Sequence, residues 1–174
     1  MKHILITITI FILSLTSYSQ ALSNDTIHWI DYRKLSWEDF KGEPIDLQGM
    51  YGQSMMVILA DYHKYTLFLP AHTTVETVFD RKNSWIASNA KTELSLKYYQ
   101  VMFDIYEVYA RRLKKEFKET KFGVNPEKVF KEKYNAILTA LSDRNKQYLK
   151  ETKMGTDSES IEKWQKIIQS ELKE

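Results

Sequence analysis

The stretch Tyr98-Tyr-Gln-Val-Met-Phe-Asp-Ile-Tyr-Glu-Val-Tyr-Ala-Arg111 decides how the second half of the chain is read. With Leu94 just upstream, its Tyr98, Val101, Ile105 and Val108 recur every three or four residues, the spacing of one helix face. Between Tyr98 and Ala110 apolar residues occupy most sides, so this helix is predicted to be buried. Gly123 is a natural stop. Asn125-Pro126 is a natural restart, with Asn as N-cap and Pro at the first helical position. The next helix carries Val129, Tyr134, Ile137, Leu138 and Leu141 towards Lys153, and Gly155 breaks it. Thr156-x-x-Glu159 has the form of a capping box for a last amphipathic helix with Ile161, Trp164 and Ile168.

Upstream of Asn89 the pattern is that of strands. Thr26 to Tyr32 mixes β-branched and aromatic residues. Met55 to Ala60 and Tyr65 to Leu69 are apolar runs, and the polar Asp61-Tyr62-His63-Lys64 between them reads as a hairpin connection. Val75 to Phe79 is a further strand before a turn at Asp80 to Asn83. The expected fold is therefore α+β, a small antiparallel sheet in the N-terminal half packed on three helices.

The chain has 174 residues, 11 Tyr, 8 Phe, only 5 Gly and 3 Pro, a composition that suits one packed domain and argues against disorder. Its net charge of +2, or +1 without Lys2, gives no reason to expect nucleic acid as a partner. The first 19 residues read as a signal peptide, with Lys2 and His3 ahead of the apolar run Ile4 to Leu15 and small residues at Ser17 and Ser19 before Gln20. The run is too short for a spanning helix, which needs about 20 apolar residues. The expectation is a single domain over 20–174, exported to the periplasm or beyond, with no stable membrane span after cleavage. The absence of Cys removes disulfides and thiolate chemistry.

Three stretches resemble one family of exported bacterial proteins, catalogued as a domain of unknown function and regarded as zinc-dependent proteases. Leu35-Ser-Trp-Glu-Asp-Phe-Lys-Gly42 is similar to that family's Leu-Thr-Trp-x-Asp-Phe-x-Gly. Phe79-Asp-Arg-Lys-Asn-Ser-Trp85 leads to the Tyr98–Arg111 helix, which resembles the family's His-Glu-Gln-x-His-Phe-Asp-Ile-x-Glu-x-Tyr-Ala-Arg. Tyr148 to Trp164 resembles Tyr-Asp-x-Glu-Thr-x-His-Gly followed by a Trp. The resemblance implies a zincin-like fold and, for the family, a zinc ion held by a H-E-x-x-H helix. On such a helix two imidazoles four residues apart converge on the metal while the Glu activates water.

The parts for that reaction are missing here. The two helix histidines correspond to Tyr98 and Met102, the glutamate to Tyr99 and the downstream histidine to Met154. All four histidines of the chain lie at or before His72, so no later residue supplies an imidazole. The resemblance thus implies a pseudoenzyme with no catalytic residues and no cofactor, serving as a binding or structural protein for an exported protein or peptide. The alternatives are a hydrolase with a non-standard metal site and a copper protein using Met102 and Met154, since thioethers favour Cu(I). Against copper, two flexible apolar side chains also serve to plug a vacated hole.

Asp104, Glu107 and Arg111 are binding candidates, sharing a helix stripe with Gln100. The plainer reading is a structural network with an ordinary i, i+4 pair between Glu107 and Arg111. His28, His63 and His72 have no ligand-like spacing and read as ordinary histidines. Ser54 lacks the G-x-S-x-G setting of a hydrolase nucleophile. The basic run from Arg111 to Lys121 reads as a solvated face complementing a helix C-terminus.

Overall fold

The computed structural model describes residues 22–45, 51–63 and 71–174. The expected leader over 1–19 and the expected strand Tyr65 to Leu69 lie outside the described residues. Strands β1 (Thr26–His28), β2 (Gly52–His63) and β3 (His72–Ile86) precede helices α1 (Glu93–Glu119), α2 (Pro126–Glu151) and α3 (Ser158–Glu171). Among the described residues the strands form one antiparallel sheet in the order β1-β3-β2. The architecture is α+β, a small three-stranded sheet with three helices.

The strand boundaries differ from the sequence reading, most of all at the ends of β2 and β3. Asp61, Tyr62 and His63 belong to β2 and pair with Thr74, Thr73 and His72 instead of forming the connection. Tyr62 is drawn into the ladder because its ring stacks on Phe122 at 6.1 Å and meets Phe130 at 4.9 Å. At Asp80 to Asn83 β3 does not end. Met55 pairs with Asp80 and Gln53 with Trp85, so the turn chemistry is spent on a bulge within a continuing strand. The Asn83 backbone N–H donates to Asp80 Oδ1 at 3.1 Å, and the Ser84 hydroxyl donates to the Asp80 carbonyl at 2.6 Å.

The helix ends follow local chemistry. Thr92 caps α1 by accepting from Ser95 N at 3.1 Å, and Asn125 caps α2 by accepting from Lys128 N at 3.3 Å. Each such cap is worth about 1 kcal/mol. For α3 the cap is Asp157, accepting from Ser160 N at 3.1 Å, one residue later than the expected Thr156. Thr156 instead donates its hydroxyl to the Lys153 carbonyl at 2.8 Å.

As its all-round apolar pattern predicts, α1 is the central element. Val101, Ile105, Val108 and Leu113 pack with Leu141, Tyr148, Ile161 and Trp164 of the other helices. Phe103 meets Phe79 of β3, with Ile27 and Met56 in the same cluster. Burial of a side chain of this size stabilises by about 1.5–3 kcal/mol. Ile27, Met56, Ile58 and Phe79 define the core face of the sheet, so the alternation of the strand sends His28, Glu76, His72, Asp61 and His63 to the other face. Among the described residues no helix is long and apolar enough to cross a membrane.

Candidate functional site

Three of the four positions that the resemblance assigned to a metal site line one cleft. Tyr98, Tyr99 and Met154 border a space of about 470 Å³ together with Tyr51, Leu94 and Gly155, and none of its described lining residues is charged. Tyr98 forms the floor. Its ring stacks on Tyr148 at 5.1 Å and meets Tyr99 edge-on at 5.3 Å. Burial, with a smaller push from Tyr99, raises the Tyr98 phenol to about 12, and burial also raises Tyr99. The Tyr148 hydroxyl donates to the Tyr98 carbonyl at 2.9 Å, which locks α2 to this turn of α1.

The rim is a strained turn. Lys153, Met154 and Gly155 have φ of 49°, 55° and 92° in succession. Only the third suits its residue type, and a Cβ on Gly155 would lie 3.0 Å from the Tyr98 ring. The turn is held by three N–H groups, those of Gly155, Thr156 and Asp157, donating to the Thr152 carbonyl. Met154 is thereby thrust outward, 77% exposed, so it does not plug anything. Met102 is half-buried instead and is not part of the cleft lining, with the Ser54 hydroxyl 3.7 Å from its sulfur.

These donors do not fit zinc. A phenol raised to about 12 stays protonated at neutral pH, and the thioethers are soft ligands mismatched to that ion. Among the described residues no group of three or more His, Cys, Asp or Glu converges as a ligand set.

Asp104, Glu107 and Arg111 lie elsewhere and do form a network. Asp104 is 3% exposed and accepts from Trp29 Nε1 at 2.8 Å and Gln100 Nε2 at 2.7 Å, both on Oδ1. Gln100 Oε1 accepts from the Leu35 backbone N–H at 2.7 Å. Desolvation pushes the Asp104 carboxyl above its ordinary range despite the opposing pull of its two donors. Arg111 pairs with Glu107 at 2.9 Å, lies over the Trp29 ring at 5.1 Å and donates to the Leu172 carbonyl. The stripe therefore stitches the 29–35 segment and the end of α3 to α1. Asp104 also borders a separate cleft of about 280 Å³ with Lys34, Lys97 and Gln165.

Sequence reasoning passed over two groups that hold the first two motif stretches together. Asp80 is fully buried and accepts from the backbone and hydroxyl of Ser23 and from the backbone and side chain of Asn83. Burial alone would raise its carboxyl, but these donors outweigh it and hold the group below the usual range. Asp39, 1% exposed, accepts from Arg33 at 2.8 Å and Ser36 N at 2.9 Å, with Arg81 Nε at 3.5 Å. Gly42 N donates to the Ser84 carbonyl at 2.7 Å, so close that a Cβ there would lie 2.9 Å from the Lys82 and Ser84 carbonyl oxygens. Phe40 meets Phe79 at 5.1 Å and Tyr99 at 5.2 Å. The Asp80-x-x-Asn83 spacing was a readable signal for a side-chain-capped turn. Gly42 was visible as the end of the first motif stretch, but nothing local announced its close approach to β3.

His63 and His72, read as unrelated, are direct cross-strand partners, whereas His28 is beside Glu76 at 3.3 Å. No protein-family model, no curated protein and no solved structure matches the chain.

Proposed function

We propose that this chain is an exported, zincin-like pseudoenzyme, and that the uncharged cleft over Tyr98 and Tyr99 binds an apolar, uncharged segment of an exported protein or peptide. The observation that carries the reading is the convergence of Tyr98, Tyr99 and Met154 on one cleft. The resemblance alone assigns these positions to a metal site, from two separated parts of the sequence pattern, and they line the same space. With a buried phenol at its floor and an exposed thioether at its rim, the cleft offers aromatic and apolar contact in place of metal chemistry. Neither alternative has an observation in its favour. Asp104 and Glu107 lie outside the cleft lining, and of the two methionines only Met154 borders it.

The test is the quadruple variant Tyr98→His, Tyr99→Glu, Met102→His and Met154→His, compared with the parent for zinc uptake and peptide hydrolysis. The variant is expected to bind one more zinc ion per chain than the parent, and the parent to hydrolyse nothing with zinc present. Parent hydrolysis that a chelator abolishes and zinc restores would overturn the proposal. A folded variant with no additional zinc would refute the correspondence of the four positions. For the cleft itself, Met154→Asp should weaken binding of apolar peptides about tenfold in a fluorescence titration while leaving the circular dichroism spectrum unchanged.

A further inference from the structure

The register of β2 against β3 places His63 directly opposite His72. Directly opposed residues of an antiparallel pair share a sheet face, with Cβ atoms about 4.5–5.5 Å apart. Alternation puts Asp61 on that face as well, and it is the face turned away from the helices. Asp61 Oδ2 lies 3.3 Å from His63 Nε2, and Asp61 Oδ1 accepts from the Tyr62 backbone N–H at 2.7 Å. Both imidazoles are exposed.

From this geometry we infer that His63 and His72 form a two-imidazole binding site for a late first-row divalent cation, with Asp61 as the carboxylate that orients the His63 ring. Two rings at this separation reach one ion from adjacent strands, and water completes the coordination. A carboxylate on one ring nitrogen fixes the orientation of the ring, the arrangement common behind metal-bound histidine. Nitrogen ligands with no sulfur select Cu²⁺, Ni²⁺ and Zn²⁺ over Cu(I), Mg²⁺ or Ca²⁺, and Cu²⁺ binds tightest. Because only two ligands come from the chain, the site is of modest affinity.

This site is independent of the proposed cleft. The cleft borders Ile86, which pairs with Gly52 at the other end of the same ladder. Eleven residues of strand separate Gly52 from His63, roughly 35 Å at the usual rise. An ion there would clip β2 to β3 at the end of the ladder and stabilise the folded chain by mass action. His28, beside Glu76 at 3.3 Å on the same face, pairs in register with Val78 and not with a second imidazole. It is an internal control for surface adsorption.

The experiment uses the full chain with His3→Ala, which leaves His28, His63 and His72 as the imidazoles. Cu²⁺ alone is titrated calorimetrically, and the complex is examined by electron paramagnetic resonance; Zn²⁺ and Ni²⁺ follow. One Cu²⁺ per chain is expected, with coupling to two imidazole nitrogens. His63→Ala or His72→Ala should each weaken binding at least tenfold, Asp61→Asn a few-fold, and His28→Ala not at all. All four side chains are exposed, so the variants should fold, which thermal unfolding verifies. No binding, binding that survives both His63→Ala and His72→Ala, or binding weakened equally by His28→Ala would each overturn the inference. None of these outcomes bears on hydrolysis or on the Tyr98 cleft, so this inference and the proposed function fail separately.

Discussion

Asp80 and Asp104 are two buried carboxylates in one core, 0% and 3% exposed, and their surroundings drive them in opposite directions. Asp80 collects four donors shared between its two oxygens and is held below the ordinary carboxylate range. Asp104 has two donors, both on one oxygen, and desolvation raises it. Neither side chain reaches solvent, but Asp104 is packed more deeply among other atoms and has fewer donors, so desolvation wins there and is outweighed at Asp80. At Asp80 the bulge supplies the Asn83 N–H and side-chain amide and Ser23 adds two more donors from the N-terminal segment, whereas a carboxylate in mid-helix finds every neighbouring N–H already used within the helix. A buried acid on a bulge can therefore draw on backbone N–H groups as well as side chains, while one in mid-helix depends on side chains alone.

The contrast predicts unequal responses to the same substitution. Asp80→Asn turns an amide NH₂ towards donors and should cost about 3 kcal/mol in urea unfolding. A loss below about 0.5 kcal/mol would show that the four donors do not hold the bulge. Gly42→Ala, which drives a Cβ against two backbone carbonyls of that bulge, should cost about 2 kcal/mol by the same measurement. Asp104→Asn keeps an acceptor for Trp29 and Gln100 while removing a poorly solvated charge, so its effect at neutral pH should stay within about 1 kcal/mol.

The pH dependence sharpens the comparison. Asp80 has a folded pKa below its unfolded value, so its stabilisation is present above the unfolded pKa and is lost as pH falls through the folded one. Asp104 has a folded pKa above its unfolded value, so its contribution is full below the unfolded pKa and is lost as pH rises through the folded one. Unfolding curves across the acid range should show the parent's advantage over Asp80→Asn shrinking towards low pH. Its advantage over Asp104→Asn should shrink towards high pH. Parallel curves for the two pairs would break the comparison. The smallest effect is expected for Glu107→Gln, which removes the partly exposed i, i+4 pair with Arg111 and should cost about 0.2–0.5 kcal/mol.

The candidate cleft was partly legible. The resemblance pointed to Tyr98, Tyr99, Met102 and Met154, and three of the four line it. Met102 shares the helix face of Tyr98 one turn on, but its side chain is taken up by the packing under β2 near Ser54. The exposure of Met154 was not legible, since it follows from three successive positive φ angles that no residue type there besides Gly155 announces. The His63–His72 pair was missed for a different reason. Strand register is a property of two segments together, and the apparent turn at Asp61 to Lys64 cut β2 short in the sequence reading.

By itself the sequence determined the elements whose causes are local: the buried period of α1, the Asn125-Pro126 start of α2, the break at Gly155 and the want of any imidazole after His72. Helix periodicity, caps and composition act within a few residues, so a linear reading captures them. Tertiary structure alone decided the strand register, the docking of the 35–42 stretch on the β3 bulge and the opposite fates of Asp80 and Asp104. Each of these depends on donors and surfaces that arrive from residues distant in the chain, and desolvation has no meaning until those surfaces have closed.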